Sequence, residues 1–276
     1  MGRVSGQVAF ITGAARGQGR SHALRLAEEG ADIVAIDIAG QIDSVPFPMS
    51  TPQDLAETVK LVQARGQRVI GRQLDVRDQQ ALDAVVAETM EEFGHIDIVA
   101  ANAAIFGMAS NWEISERQWN DVIDVNLTGV WHTVKAVVPS MIAARRGGSI
   151  VLTNSAAGLR ASPYMAAYTA AKHGVVGIMR SLAQELGQFG IRVNSVHPSA
   201  VATPMILNDW FLKEFLPESV DPGRDEIDAA FGELHALPVG VLDPIHISNA
   251  VLWLSSDEAQ YITGVALPVD AGYLIK

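Results

Sequence analysis

The chain has 276 residues, of which 49% are hydrophobic, and a formal net charge of −11 at pH 7. This acidic balance argues against nucleic acid and anionic membrane as partners, because both require a basic face. The sequence contains no cysteine, which excludes disulfides, thiolate nucleophiles and cysteine-ligated metals. No apolar stretch approaches the roughly 20 residues of a membrane span, and the first apolar run is too short for a signal peptide. We therefore expect a cytoplasmic protein that holds no metal.

Short apolar runs alternate along the chain with longer segments of helical spacing. The runs, which lack polar alternation, are residues 8–11, 33–36, 69–74, 96–101, 149–153, 191–196 and 265–269. The helical segments are residues 20–29, 53–65, 79–93, 166–186 and 244–254. Continuous apolar strands joined by helices are typical of a parallel sheet that is covered on both faces. The sequence predicts one α/β domain over residues 1–276, with a doubly wound, mostly seven-stranded parallel sheet of the Rossmann type.

Two segments interrupt this alternation. Residues 38–52, rich in Pro and Ser, lengthen the connection after the second strand, and residues 203–240 carry prolines, charges and aromatics. Connections of this length are uncommon inside a compact domain and are often functional. We predict that residues 203–240 form a substrate lid inserted within the single domain. Surface decoration is the alternative for both segments.

A glycine-rich loop follows the first strand. It reads TGAARGQG and places Gly13, Gly17 and Gly19 at the opening of a helix. Glycine lets the backbone turn sharply and approach a pyrophosphate, while the helix N-terminus supplies free N–H donors and a partial positive charge. A glycine triplet alone is weak evidence, but its position between a strand and a helix indicates a dinucleotide site.

Asp37 and Arg16 bear on which dinucleotide is bound. Asp37 follows the second strand, where a carboxylate can accept hydrogen bonds from both ribose hydroxyls of the adenosine half. A 2′-phosphate would face this anion, and residues 38–40 include no basic side chain to compensate. Arg16 is a counter-signal, because an arginine in the glycine loop can pair with that phosphate. The carboxylate favours NAD over NADP, and an NADP-dependent ketoreductase is kept as an alternative.

Further cofactor contacts are expected where the third and fourth strands end, at the edge of the sheet that binds ligands in such folds. Asp75 can accept from the adenine amino group, or it can cap the helix that begins near Asp78. The other residues predicted to contact the cofactor lie beside these positions: Gln18, Ile38, Val76, Asn102, Ala103 and Ala104.

Tyr168 and Lys172 lie four residues apart, which places a phenol and an ammonium on one face of a helix. Bringing a tyrosine pKa from about 10 to near neutrality requires about 4 kcal/mol. A cation about 4 Å away supplies about 4 kcal/mol at an effective dielectric constant near 20. One lysine is therefore sufficient to make Tyr168 a proton carrier. Tyr164 lacks such a partner, because the residue four positions beyond it is Tyr168.

Two further polar residues suit the same chemistry. Ser155, thirteen residues before Tyr168, can hold a substrate oxygen and donate to it as charge develops. Asn126 lies within a long helical stretch, where asparagine is unfavourable unless its side chain has a role. It either holds a water for a proton relay or caps a local distortion of the backbone.

The glycine loop, Asn102, Asn126, Ser155 and the Tyr168/Lys172 pair, in this order and spacing, resemble the short-chain dehydrogenase/reductase family. The resemblance extends nearly through the chain, to ITG at residues 262–264 and PVDAGY at residues 268–273. The opening FITGAARGQGRSHALRLAEEGADI, the Pro-rich insert and AAKHGVVGIMRSLAQELG more narrowly resemble the carveol dehydrogenase-like group, which is associated with the mycofactocin redox system.

The resemblance implies an NAD-dependent alcohol dehydrogenase in which Tyr168 is the general acid/base. It implies that Lys172 lowers the Tyr168 pKa and binds the nicotinamide ribose, that Ser155 orients the substrate oxygen, and that Asn126 supports a water linked to Lys172. It also places Pro198, Val201 and Thr203 in the loop that contacts the carboxamide. The sequence departs from the family at Ser199, where glycine is usual, and at Ala101 and Ala104.

The expected substrate is a small hydrophobic secondary alcohol or ketone, such as a cyclic terpene alcohol. The predicted substrate pocket is apolar and is formed by Ile105, Leu159, Met165, Met205, Trp210 and Phe215, with packing of the lid or of a subunit interface as the alternative. The resemblance further implies a homotetramer, for which the apolar Val175, Val176, Ile178 and Met179 give weak support. We also expect the 38–52 insert to fold over the adenosine half, so that NAD stays bound and an external redox partner reoxidises it in place.

A rival interpretation from another class is a non-catalytic NAD-binding regulatory protein, since fold does not dictate function. The set of Ser155, Tyr168 and Lys172 argues against it, because a pure binding module has no need of all three.

Overall fold

Seven parallel strands form one sheet in the computed structural model, which describes residues 2–276. The strands are β1 (Val8–Thr12), β2 (Asp32–Asp37), β3 (Val69–Gln73), β4 (Ile98–Ala101), β5 (Gly148–Thr153), β6 (Ile191–Pro198) and β7 (Ala266–Val269). Their order is β3-β2-β1-β4-β5-β6-β7, and each neighbouring pair is parallel. The predicted doubly wound α/β fold is confirmed, and each predicted apolar run contains or overlaps one strand.

The helices of the described residues are α1 (Gly17–Glu28), α2 (Pro52–Gln63), α3 (Gln79–Glu92), α4 (Glu116–Ile123), α5 (Gly129–Ala144), α6 (Ala166–Leu186), α7 (Asp209–Phe215), α8 (Arg224–Gly232) and α9 (Pro244–Ser255). Several begin at side chains that cap free backbone N–H groups. Thr51 and Asp54 form a capping box at the start of α2, with Pro52 in the first turn, and Asp78 caps α3 by accepting from Ala81 N. Within residues 2–276 no helix is both long and apolar enough to cross a membrane.

Alternate side chains of the strands feed two hydrophobic cores, one on each face of the sheet. On one face, Phe10 and Ile36 pack in a cluster with residues of α3, α5 and α6 such as Leu82, Val134 and Met179. On the other face, a second cluster joins side chains of β1 and β2 to α1, α2 and α9. Because both faces are covered, the strands carry apolar side chains in both directions, which explains the continuous apolar runs.

The site lies at the carboxyl edge of the sheet. The strand order reverses between β1 and β4, which are neighbours in the sheet although β2 and β3 separate them in sequence. Such a switch point opens a crevice at the carboxyl ends of the strands, where nucleotides bind in doubly wound folds. The loops that follow β1, β2, β4, β5 and β6 all begin at this edge.

Candidate active site

The glycine loop forms a close-packed cradle between β1 and α1. Gly13 and Gly17 have φ of +68° and +56°, a left-handed conformation that residues with a Cβ rarely adopt. A Cβ on Gly13 would come within 2.8 Å of Ala103 Cα, and one on Gly19 would collide with the carbonyl oxygen of Gly13. Asn102 fixes the loop by donating from Nδ2 to the carbonyl oxygens of Thr12 (3.1 Å) and Gly13 (3.2 Å). The cradle therefore brings bare backbone to the cavity surface at the start of α1.

Asp37 is the point at which the glycine loop, β2 and the Pro-rich insert meet. Its Oδ2 accepts from Ala15 N at 2.9 Å. Its Oδ1 accepts from Ala39 N at 2.9 Å and from Ser50 Oγ at 2.6 Å. The carboxylate is buried and lines the same cavity as the glycine loop. It thus lies where the sequence predicted, and it also anchors the far end of the insert, a role that the sequence did not indicate.

The insert folds back over the nucleotide cavity. Gln41 organises it, donating from Nε2 to the carbonyl oxygens of Ile42, Val45 and Phe47 and accepting from Met49 N. Arg16 reaches across from the glycine loop and donates to the carbonyl oxygen of Pro48 at 2.6 Å. The insert residues that line the cavity are Ile38, Ile42, Val45, Phe47, Met49 and Ser50.

Most of the residues predicted to contact the cofactor line this one cavity. They are Gly13, Arg16, Gly17, Gln18, Asp37, Ile38, Asp75, Val76, Asn102, Ala103, Ala104, Tyr168, Lys172 and Thr203. Gly19 lies behind the loop, where it allows close packing against Gly13. Pro198 and Val201 line the neighbouring cavity instead. The cavity wall also includes Val125, Thr153, Asn154 and Pro204, and no motif in the sequence pointed to these four residues.

The cavity fits a dinucleotide in shape and in polar chemistry. The glycine cradle would be filled by any added Cβ, so its open backbone is suited to a pyrophosphate. Gln18 lines the cavity, and its Oε1 is buried without a hydrogen-bond partner among the described residues. A buried polar atom of this kind costs free energy unless a partner arrives, and a bound ligand can supply one.

Asp75 is paired within the protein. Its Oδ2 accepts from the Arg77 guanidinium at 2.7 Å, and its Oδ1 accepts from Arg77 N at 2.9 Å. Arg77 also bridges to Asp121 at 2.8 Å, and these carboxylates raise the pKa of the guanidinium. The helix cap considered for Asp75 belongs to Asp78. Asp75 still lines the nucleotide cavity.

Tyr168 and Lys172 are both buried on α6, below the end of β5. Lys172 Nζ lies 5.5 Å from the centre of the Tyr168 ring and donates to the carbonyl oxygen of Thr153 at 3.0 Å. Asn154 donates to the carbonyl oxygen of Lys172 at 3.0 Å and so ties α6 to the loop after β5. The Tyr168 ring meets Phe106 edge-on at 5.2 Å. Strand, loop and helix together hold the phenol in one position.

In the protein alone, the pKa of Tyr168 is shifted in the opposite direction from the one that the sequence predicted. Burial raises the pKa of Tyr168 to about 12, partly offset by a hydrogen bond from Ser155. Burial also lowers the pKa of Lys172 to about 8. The sequence argument placed the ammonium about 4 Å from the phenol and neglected the cost of burying both groups. Tyr168 is therefore a proton donor at rest, and a phenolate requires further stabilisation.

Ser155 is held from both sides. Its Oγ accepts from Ala157 N at 3.1 Å, and its N–H donates to Asn154 Oδ1 at 2.9 Å. His197 Nδ1 lies 2.8 Å from the carbonyl oxygen of Ser155, and its Nε2 lies 2.8 Å from Ser195 Oγ. Burial lowers the pKa of His197 to about 4, so the ring is neutral. Sequence reasoning missed this histidine, whose only signal is a polar side chain in an apolar strand.

Asn126 lies in a π-helical turn, Asp124–Thr128, between α4 and α5. Its Oδ1 accepts from Ile105 N and its Nδ2 donates to Ile105 O, both at 2.8 Å. The side chain is fully buried, and Ile105 lines the nucleotide cavity. The amide thus holds the backbone of Ile105 rather than the distorted turn in which Asn126 lies. The water relay and the cap on the distortion both stay predictions.

A second cavity of about 380 Å³ adjoins the first. The two share the walls formed by Gln18, Asn154, Tyr168, Thr203 and Met205. Ser155 lines the second cavity together with apolar side chains of the loops after β4, β5 and β6 and of α7 and α8, which are Phe106, Met108, Met165, Ile206, Phe211, Phe215 and Phe231. The phenol of Tyr168 thus stands between a polar crevice and an apolar pocket.

Three of the six predicted substrate residues, Met165, Met205 and Phe215, line the second cavity. The other three lie elsewhere. Ile105 faces the nucleotide cavity, and Leu159 is 37% exposed outside the pocket. Trp210 lies behind the wall, packed against Phe47 and Phe106, because the first turn of α7 directs Phe211 inward instead. Tyr164, set aside in the sequence for want of a lysine, lines the pocket as well.

The fold and this site define a nucleotide-dependent oxidoreductase of the doubly wound class. A cradle for a dinucleotide and an apolar pocket share one tyrosine, and a lysine and a serine flank it. Among residues 2–276 no group of three or more His, Asp or Glu side chains is placed to hold a metal ion.

Comparison with known proteins gives the family. Residues 7–210 match the family model described as short chain dehydrogenase, and the chain belongs to that family. It is 48% identical to a (−)-trans-carveol dehydrogenase of Rhodococcus erythropolis, over all of this chain and all of the relative. A solved structure of carveol dehydrogenase from Mycobacterium avium in complex with NAD is 53% identical, covers both chains fully and superposes with a TM-score of 0.98. A short chain dehydrogenase from Mycobacterium paratuberculosis bound to NAD is 43% identical, also over both full chains, with a TM-score of 0.90.

Proposed function

We propose that this protein is an NAD-dependent dehydrogenase that interconverts a hydrophobic cyclic secondary alcohol of the terpene type and its ketone. The observation that carries the proposal is that Tyr168 lines both the nucleotide cavity and the apolar cavity. A group in that position can exchange a proton with the substrate oxygen while the adjacent carbon faces the cofactor. The solved relatives that contain NAD and the relatives that act on carveol support the same assignment.

The chemistry divides between the cofactor and the chain. NAD, when bound, supplies the hydride acceptor for the carbinol carbon. Ser155 and Tyr168 hold the alcohol oxygen, and Ser155 donates a hydrogen bond to it. In oxidation the substrate hydroxyl proton passes to the Tyr168 oxygen, and in reduction the Tyr168 proton passes to the carbonyl oxygen. Lys172 favours the phenolate through its charge, and the surrounding apolar wall keeps water from the reacting atoms.

The residues proposed for the nucleotide are those of the cavity beside Tyr168. The glycine loop would hold the pyrophosphate, and Asp37 would meet the adenosine ribose. Asp37 already accepts hydrogen bonds from three groups of the protein, so its carboxylate is held in one orientation and would face the 2′-phosphate of NADP. This arrangement favours NAD, while Arg16, which lines the same cavity and donates to Pro48, stays the counter-signal.

The test is to add carveol and NAD to the purified protein and to follow reduced nicotinamide per active site. We expect reduced nicotinamide to form with carveol and with other hydrophobic cyclic alcohols, and not with short polar alcohols of equal concentration. If reduced nicotinamide forms only with NADP, the proposed cofactor is wrong. If it forms only with carboxylated alcohols, the proposed substrate class is wrong.

We further propose that the insert retains NAD after hydride transfer, so that an external redox partner reoxidises it in place. Six insert residues face the nucleotide cavity, and Ser50 and Pro48 close the insert onto Asp37 and Arg16. These contacts support a position of the insert over the adenosine half of the cofactor. A burst of reduced nicotinamide that stops near one equivalent despite excess free NAD is the expected result. Steady production beyond one equivalent would contradict retention and leave the dehydrogenase assignment intact.

We also propose a homotetramer, but not on the apolar residues of α6 that the sequence analysis cited. Val175, Val176 and Met179 are buried within the monomer core, and Ile178 packs against it, so they do not support an interface. Trp131 on α5 is 46% exposed and offers an apolar contact on the outer helical layer. Sedimentation at micromolar concentration tests the proposal: a tetramer is expected, and a monomer would contradict it.

A further inference from the structure

A polar pair interrupts the apolar wall of the substrate cavity. Ser199 Oγ lies 2.8 Å from His235 Nε2, and both residues line the cavity. Ser199 follows β6, and His235 follows α8, so the pair joins two segments 36 residues apart. The imidazole is only 2% exposed although Glu233, Leu234 and Ala236 around it are exposed. The structure thus buries a histidine against a serine at the edge of a pocket whose wall is mostly hydrophobic.

The direction of each hydrogen bond follows from the other partner of the ring. His235 Nδ1 lies 3.0 Å from the carbonyl oxygen of Val239, and a carbonyl oxygen only accepts, so Nδ1 carries the proton. In a neutral imidazole the second nitrogen is then an acceptor. Ser199 must donate to His235 Nε2. The serine hydrogen is therefore already used in a hydrogen bond. Toward the cavity, Ser199 Oγ can only accept.

The acceptor is held in place by the C-terminal segment. Lys276 Nζ donates to the carbonyl oxygen of His235 at 2.7 Å, and Ala236 N donates to the carbonyl oxygen of Ala271 at 3.0 Å. Tyr273, which also lines the cavity, lies in the same segment. A preorganised acceptor costs little to use when a donor arrives. When the ligand brings no donor, the same acceptor lies unpaired against apolar ligand surface.

A ligand with one oxygen satisfies only the catalytic end of this cavity. Its oxygen goes to Ser155 and Tyr168, and the remainder of a simple terpene alcohol is hydrocarbon. From the fixed acceptor at Ser199, we infer that the preferred substrate is a cyclic secondary alcohol with a second hydroxyl group, which donates to Ser199 Oγ. This inference rests on the proposed dehydrogenase function and narrows its substrate class. Ser199 and His235 are then specificity-determining residues: Ser199 contacts the second hydroxyl, and His235 fixes the direction of the serine hydrogen.

Three matched alcohols test the inference. The first is carveol, and the second is p-menth-6-ene-2,8-diol, which is carveol hydrated at its isopropenyl group. The third is the methyl ether of that tertiary hydroxyl, which keeps the oxygen and loses the donor. One neutral hydrogen bond corresponds to roughly 3- to 10-fold in kcat/KM. We expect the wild type to prefer the diol to its methyl ether by that factor.

Variants distinguish recognition of the second hydroxyl by Ser199 from a general loosening of the segment around His235. Ser199→Ala should bring the ratio of kcat/KM for diol over ether close to one, and Ser199→Thr, which keeps the hydroxyl, should retain the preference. Lys276→Met removes a tether of the His235 segment without touching the serine hydroxyl, and it should keep the ratio. A purely structural role of Ser199 would lower kcat/KM for all three alcohols together. If Ser199→Ala does not fold, Ser199→Gly provides the same comparison.

The outcomes also distinguish this inference from the function on which it rests. Oxidation of carveol with no preference for the diol in the wild type, or an unchanged ratio in Ser199→Ala, would overturn the role of Ser199 alone. Failure of the wild type to oxidise any of the three alcohols would overturn the dehydrogenase assignment, and the inference with it.

Discussion

Phe47 of the Pro-rich insert stacks on Trp210 of α7, with ring centroids 6.0 Å apart and planes inclined by 27°. Phe47 lines the nucleotide cavity, whereas Trp210 belongs to residues 203–240, the proposed substrate lid. Trp210 also contacts Phe106 and Phe211, both of which face that pocket. The cover of the cofactor and the cover of the substrate are therefore one packed unit.

This contact predicts that removing the stack between Phe47 and Trp210 loosens the hold on NAD. Phe47→Ala should speed the release of NAD by roughly 2- to 10-fold, since an aromatic pair contributes about 0.5–1.5 kcal/mol beyond its buried area. Trp210→Ala should have a similar effect, and the double variant should be less than additive. Release is measured by stopped-flow fluorescence with an NADH analogue chase.

Phe231→Ala is the matched control for this prediction. It removes the stacking of Phe231 on Phe215, whose centroids are 4.3 Å apart, within the lid but away from the insert. It should raise KM for the alcohol and leave the rate of NAD release unchanged. Equal effects of Phe231→Ala and Phe47→Ala on NAD release would contradict a specific contact between the two covers.

Tyr168→Phe should separate binding from chemistry. Loss of the hydroxyl removes the proton exchange, and general acid/base catalysis contributes about 10²- to 10⁴-fold, so kcat should fall by at least about 100-fold. The Kd for NAD should change by less than about 3-fold, because the ring and its packing against Phe106 remain. Tyr164→Phe is the control, since Tyr164 lines the same pocket without a lysine partner. Retained turnover in Tyr168→Phe would refute the assignment of the proton carrier.

Asn126→Ala should destabilise the protein as well as the site. The substitution leaves both the N–H and the carbonyl of Ile105 without their present partner, which costs about 1–3 kcal/mol for a buried group. Tm should fall by several degrees, since 1 kcal/mol corresponds to about 2–4 °C in a chain of this size class. Asn126→Asp keeps an acceptor for Ile105 N and should lose less. An unchanged Tm with a lowered oxidation rate would instead favour the proton relay implied by the family resemblance.

The protein should lose stability in mild acid because of two buried, neutral histidines. Burial lowers the pKa of His22 to about 3 and that of His197 to about 4, from 6.5. Between those values and 6.5 the unfolded chain binds protons that the folded chain does not, so the free energy of unfolding falls as pH falls. For His22 the loss reaches about 3 kcal/mol by pH 4.

His22→Gln tests the acid prediction, with His246→Gln, at an exposed position, as its control. The His22 variant should show a flatter decline of unfolding free energy between pH 6.5 and 4 in urea titrations, and the His246 variant should follow the wild type. Parallel declines in all three proteins would show that His22 does not contribute to the acid sensitivity.

The fold could be predicted from the sequence because its signals are local and repeated. The continuous apolar runs at residues 8–11 and 33–36 are typical of parallel strands that are covered on both faces. Gly13 and Gly17 adopt the left-handed backbone that a phosphate cradle requires. The helical segment at residues 166–186 has the bounds of α6, Ala166–Leu186. Sequence also placed Tyr168, Lys172 and Ser155 close together, since helix periodicity and a strand end fix their positions.

What the sequence did not reveal depends on contacts between distant segments. Trp210 and Phe211 are neighbours, and helical periodicity alone does not decide which faces the pocket; the insert does, by supplying Phe47 as a partner for Trp210. Ser199 and His235 meet only because α8 returns beneath the loop after β6. The opposite pKa directions of Tyr168 and Lys172 follow from burial, which residue spacing does not quantify.

The most direct test of the account is transfer of deuterium from carveol labelled at the carbinol carbon. With wild-type protein and NAD, we predict deuterium in the reduced nicotinamide and an unlabelled ketone, both seen by mass spectrometry, and neither product with Tyr168→Phe. Absence of label from the nicotinamide, with carveol and NAD both bound to a folded wild-type protein, would contradict the claim that Tyr168 joins a cofactor site to an alcohol site.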